Sequence, residues 1–256
     1  MYISEVLMPT LGLVSVTYRR LSPADIIARA AEVGLACIEW GSDIHVPQTD
    51  LDHARRVGNM TREAGLTVSS YGSYYRLGTG QDFAPYAEAA CVLGAPVIRV
   101  WAGTRGSEQT DDATRGAWAA EAKAVCRMAA EQGITVAFEY HHGTLTDTAD
   151  SAVALIKAID EPNCRLYWQP EFAKPQEVIL SDLEKVSPWV DLCHVFHWYP
   201  DHSRRPLAEG TEVWRQFLSR VPSWQDMPLL LEFVPNDDPD LLTREASALS
   251  EIVSGL

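Results

Sequence analysis

Eight times along the chain, a short apolar run rich in β-branched and aromatic residues is followed by a segment carrying a helical apolar stripe. The runs are LGLVSV (Leu11–Val16), ACIEW (Ala36–Trp40), LTVSSY (Leu66–Tyr71), APVIRVW (Ala95–Trp101), ITVAFEY (Ile134–Tyr140), CRLYWQP (Cys164–Pro170), WVDLCHVFHW (Trp189–Trp198) and MPLLLEFV (Met227–Val234). Continuous apolar runs of this length mark strands buried on both faces. The segments between them read as helices. Ser22 caps the first with Pro23 in its first turn, Asp50 opens the second, and Gly94 and Gly133 stop two others. Alternating strand and helix implies a parallel sheet. Eight units in 256 residues imply a closed (β/α)8 TIM barrel spanning 1–256 as a single domain. An open doubly wound sheet is the alternative. It is disfavoured because no strand is followed by a GxGxxG turn, and GTRG after the fourth strand is only a glycine-rich turn.

Charge and cysteines narrow the function. A net charge of −14 would repel a phosphate backbone, so no nucleic-acid partner is expected. No run reaches the length of a membrane span, so no membrane partner is expected either. The opening MYISEVLMPTLG lacks a basic region before an apolar core and does not read as a signal peptide. The five cysteines are scattered without a CxxC pair, which fits reduced thiols and a cytoplasmic location.

In a barrel of this kind the chemistry lies at the C-terminal ends of the strands. Glu139 ends the fifth run, in the stretch ITVAFEYHHGTLTD, where an unpaired carboxylate would be costly. Gln169, His194 and Glu232 hold comparable positions on the sixth to eighth runs. Together they form a set of hard oxygen donors with one imidazole, suited to an open site for Mn²⁺, Mg²⁺, Co²⁺ or Zn²⁺.

The chain resembles the xylose isomerase-like TIM barrels of the sugar phosphate isomerase/epimerase type. The resemblance runs through VAFEYHH, LCHVFHW, RRPLAEGTEVW and LLLEF. It implies a divalent metal held by Glu139, His194 and Glu232, with the two glutamates as the acid/base pair. Two positions depart from the family pattern. Gln169 in WQPEF stands where the family has Asp, with Phe172 in place of a following His. His197 stands where the family has the Asp of HxKD. A Gln carbonyl can ligate but brings no charge, so metal affinity should fall or its preference shift.

Other strand-end residues have a functional and an ordinary reading. His141 and His45 could bond substrate hydroxyls or simply cap loops, and His197 is counted with them among the substrate-binding candidates. Glu39 could contact a polyol, but is expected rather to pair with an Arg such as Arg99. Tyr71, Trp101 and Trp198 could stack on a sugar or belong to the core. Arg205, like Arg204, could bind an anionic or polar substrate end or be solvated, and Trp214 is read as core. The leading expectation is a metal-dependent isomerase or epimerase that removes a proton next to the carbonyl of a small sugar-like substrate. A lyase or dehydratase using the same enolisation, and a non-catalytic ligand-binding or scaffold barrel, are the alternatives. An endonuclease relative would need more His and Asp ligands and a basic face. A homodimer is an open state, since relatives commonly pair.

Overall fold

The computed structural model describes residues 8–256. The N-terminal stretch read for a leader therefore falls largely outside the described residues. Eight parallel strands close into a barrel: β1 (Leu11–Val14), β2 (Cys37–Gly41), β3 (Thr67–Arg76), β4 (Val97–Trp101), β5 (Thr135–Glu139), β6 (Cys164–Trp168), β7 (Val190–Val195) and β8 (Leu229–Leu231). Each bonds to its sequence neighbours, and β8 closes on β1 through Leu11–Leu229, Gly12–Leu230 and Leu13–Leu231. The helices after successive strands are α1 (Pro23–Glu32), α2 (Leu51–Glu63), α3 (Ala84–Leu93), α4 (Asp112–Ala130), α5 (Ala149–Ile159), α6 (Gln176–Val186), α7 (Thr211–Leu218) and α8 (Leu242–Ser254). Among the described residues no helix is long and apolar enough to cross a membrane.

Local chemistry accounts for the helix starts. Ser22 and Asp25 form a reciprocal capping box with Pro23 in the first turn of α1. Asp50, Asp111 and Thr148 each accept a backbone N–H at the start of α2, α4 and α5. The core between barrel and helices is aromatic on one side. Trp168, Trp214 and Phe217 meet edge-on, and Trp214 donates its indole N–H to the Phe196 carbonyl at 2.8 Å.

Several boundaries differ from the sequence reading. β3 continues through GSYYR to Arg76, because Gly72–Arg76 stays paired to β4 across a bulge. The seventh run breaks at Phe196. His197–Trp198 then turns out to pair antiparallel with Arg204–Arg205 as a two-residue ribbon. α6 begins at Gln176, directly after Pro175, whose fixed φ presets its entry.

Side chains on a strand alternate in direction. Cys37, Ala137, Tyr167, Leu192 and Leu230 pack together inside the barrel. Two residues further along their own strands stand Glu39, Glu139, Gln169, His194 and Glu232. An apolar floor is thus topped by a polar layer at the C-terminal mouth.

Candidate active site

The polar layer is almost wholly buried, so its charges must find one another. Glu39, Arg99, Glu139, His194 and Glu232 are all buried. Arg99, in register with Ala137 across β4 and β5, reaches inward and places Nη1 2.9 Å from Glu139 Oε2. Its Nη2 donates to the Ser73 carbonyl at 3.3 Å, and the guanidinium lies 5.3 Å from the Trp101 ring. Glu139 Oε1 accepts from the Gln169 side-chain amide at 2.9 Å. Glu39, expected beside Arg99, instead serves His194. Its Oε2 faces His194 Nε2 at 3.2 Å and accepts from Tyr167 Oη at 2.5 Å and Ser70 Oγ at 3.1 Å. The other ring nitrogen of His194 faces Glu232 Oε2 at 3.4 Å.

This arrangement separates the protonation preferences of three neighbours. Burial alone would raise the Glu39 carboxyl, but the His194 charge and hydrogen bond, with Arg99 and Tyr167, hold it down near about 2. Burial opposes protonation of His194, yet the charges of Glu232 and Glu39 push it up to about 9, so it is an imidazolium at neutral pH. Burial raises Glu232 to about 7, the Glu139 and Glu39 charges adding to it and His194 opposing. Arg99 stays protonated because Glu139 and Glu39 outweigh its desolvation.

Above this layer lies an open cavity of about 190 Å³. Glu139, Gln169, Glu232, Trp101, His141 and Trp198 line it, so six of the residues singled out from the sequence converge. His194 lies just beneath, in contact with Glu232. His141 packs edge-on to Trp101 at 4.7 Å, and burial lowers its pKa. Three N–H donors of the lining, Arg99 Nε, Trp101 Nε1 and Trp198 Nε1, are buried without an acceptor. Such donors are costly to leave unmet, which marks a surface built to meet oxygen atoms.

Four other expected binding residues lie elsewhere. His45 is spent on Ser15 Oγ at 3.1 Å and the Leu21 carbonyl at 3.2 Å. Tyr71 turns outward and donates to the Val46 carbonyl at 2.7 Å. His197 packs against Phe172, outside this cavity, and Arg205 pairs with Glu209 four residues on at 3.1 Å. Their strand-end positions were right, but their side chains are claimed by neighbouring loops. Conversely, Arg19, Tyr74 and Lys174 line the cavity without having been singled out. They come from loops or from the extension of β3, where no periodic signal marks direction.

The donor set was also expected to hold a divalent ion. Among the described residues, no three His, Cys, Asp or Glu side chains are placed to hold one. Both oxygens of Glu139 already face nitrogen donors, and each His194 nitrogen faces a carboxylate. Glu139 Oε2, His194 Nδ1 and Glu232 Oε2 are buried without a hydrogen-bond partner, but with the Arg99 cation against Glu139 the residues as placed do not fit a metal.

A closed eight-stranded parallel barrel with inward carboxylates at its C-terminal mouth defines the class of protein. The model of the xylose isomerase-like TIM barrel family matches residues 27–171, and the chain belongs to that family. A 3-dehydroshikimate dehydratase from Bacillus anthracis is 24% identical over 270 residues, covering 93% of this chain and 94% of that protein. The crystal structure of a probable 3-DHS dehydratase from the same organism superposes with a TM-score of 0.79 at 22% identity, covering 95% and 99% of the two chains. An L-ribulose 3-epimerase structure gives 0.73 at 14% identity, covering 97% and 95%. A xylose isomerase-like barrel from Mycobacterium smegmatis, solved in complex with magnesium, gives 0.69 at 15%, covering 100% and 99%. These structural likenesses establish the fold.

Proposed function

We propose that the protein is an enolising enzyme. It removes a proton next to the carbonyl of a small, polyhydroxylated, sugar-like substrate and returns it as an isomerase or epimerase would. The observation that carries this reading is the meeting of two buried carboxylates, Glu139 and Glu232, on one cavity floor with Arg99 beside them. One carboxylate takes the α-proton, and the C–H electron pair becomes the enolate double bond. The negative charge then falls on the carbonyl oxygen, where unpaired N–H donors of the lining can meet it. Glu232, titrating near about 7, suits either half of the proton transfer at neutral pH. Reprotonation on the opposite face gives the epimer, and on the neighbouring carbon the isomer.

A second reading is favoured by the Bacillus anthracis relative. If a hydroxyl stands β to the carbonyl, the enolate expels it as water once a carboxylic acid supplies the proton, and the enzyme is a dehydratase. Both readings share the first step, so one experiment addresses it. Ketopentoses, ketohexoses, a keto-glycoside and 3-dehydroshikimate are incubated with the protein in D₂O and followed by proton NMR. Deuterium at the α-carbon, lost in Glu232→Gln, supports enolisation, and an accompanying new alkene identifies the dehydratase. If no compound exchanges or yields an alkene while the protein remains folded and binds one of them, the barrel is a binding protein and the enolisation reading fails.

A further inference from the structure

We propose that the centre of this barrel is closed to a divalent ion and that the Arg99 guanidinium takes the ion's place as the fixed positive charge beside the reacting carbonyl. Four features from different strands converge on this. Glu139 Oε1 accepts from the Gln169 amide at 2.9 Å, and its Oε2 lies in an ion pair 2.9 Å from Arg99 Nη1, without a hydrogen bond. His194 is turned by Nε2 onto Glu39 at 3.2 Å, and its Nδ1 lies 3.4 Å from Glu232 Oε2 without a hydrogen bond between them. Gln169 brings no charge with which to attract one. Lastly, β3 is opened beside this layer: a Cβ on Gly72 would stand 2.5 Å from Glu39 Oε1, so glycine leaves the inner wall free for that carboxylate, with Arg99 Nη2 in ordinary contact distance at 3.6 Å.

The guanidinium is also held as an electrophile should be. It cannot be deprotonated in a protein. Its direction is fixed by Glu139, by the Ser73 carbonyl and by the neighbouring rings of Tyr74 and Trp101. Its Nε is a buried donor with no acceptor, on a residue that lines the cavity. A carbonyl or enolate oxygen would satisfy that donor, and charge developing there would be met without reorganisation. An ion ligated by Glu139 would have to sit against this cation, and Coulomb repulsion between them is poorly screened in a buried site.

Metal exclusion stands independently of any activity, whereas the electrophile role rests on the enolisation reading. The test begins with the wild-type protein, dialysed against Mn²⁺, freed of loose ion by gel filtration, and measured by elemental mass spectrometry and by thermal unfolding with and without Mn²⁺. Less than a tenth of an equivalent, with no shift in melting temperature, is expected, since an ion that bound the folded state would raise it. The double variant Arg99→Met with Gln169→Asp should gain about one equivalent. If it folds by circular dichroism yet gains none, these two residues are not what excludes the ion. Wild-type protein that keeps one equivalent, lost in Glu139→Gln, overturns the proposal outright. This arm needs no variant to fold in order to be decisive for wild type. For a substrate found to exchange deuterium, the rate should be indifferent to chelator and fall about 10²–10³-fold in Arg99→Lys, which keeps the charge but not the planar fork. Absence of exchange would sink the enolisation reading while leaving the manganese result standing.

Discussion

Replacing Glu39 by Gln tests the electrostatic logic of the buried layer. Glu39 is 1% exposed and accepts from Tyr167, Ser70 and His194 through one oxygen. With Gln there, His194 keeps Glu232 as its remaining carboxylate neighbour, and burial again favours the neutral ring. A fall in the His194 pKa from about 9 to its ordinary 6.5 corresponds to about 3 kcal/mol at 1.36 kcal/mol per unit. That agrees with the ~3–5 kcal/mol typical of breaking one side of a buried ion pair. For a chain of this size the melting temperature should drop by about 10 °C. The pH sign follows from His194, whose pKa is raised by folding. Its contribution is complete below 6.5 and disappears as pH rises through about 9, so the gap between wild type and variant should narrow in that window. Urea unfolding across that range, with NMR titration of the His194 ring, measures both quantities. A loss under about 1 kcal/mol together with an unmoved His194 titration would refute the reasoning.

Three further outcomes are expected. Glu139→Gln and Glu232→Gln should each lower turnover of an identified substrate by about 10²–10⁴-fold while circular dichroism stays native, and full activity in either removes that residue from the acid/base pair. Trp214→Ala should cost ~3–5 kcal/mol in urea, because a fully buried indole that packs on Trp168 and bonds the Phe196 carbonyl leaves a cavity and an unmet acceptor. Burial raises the Glu232 pKa from 4.5 to about 7, so its neutral form favours the folded state. That contribution is whole below 4.5 and lost as pH rises through 7, and Glu232→Gln should flatten the urea midpoint over this range.

The fold was written in the order of the chain. Eight apolar runs, each followed by a helical stripe with its own cap, leave little choice but a closed parallel barrel, because every strand must be covered on both faces. Chain direction and strand ends, both local information, also place Glu139, His194 and Glu232 at the C-terminal mouth, while the barrel decides which side chains turn inward. Position at a strand end, however, does not say which partner a side chain meets. His45, Tyr71, His197 and Arg205 satisfy that local criterion and are nonetheless taken by Ser15, the Val46 carbonyl, Phe172 and Glu209.

The pairing of the charged layer belongs to the tertiary structure. Arg99 and Glu39 both point inward, and the sequence offers them to each other. The barrel's register instead sets Arg99 against Glu139 on the adjacent strand and hands Glu39 to His194 from β7, on the far side of the sheet order. Which charges meet in a buried ring depends on strand stagger and closure, and these are properties of the assembled sheet rather than of any one strand. The expected metal site turns on the same point. The residue types that would ligate an ion are legible in order along the chain, but whether their lone pairs are free depends on a cation that arrives from β4, forty residues before the nearest of them.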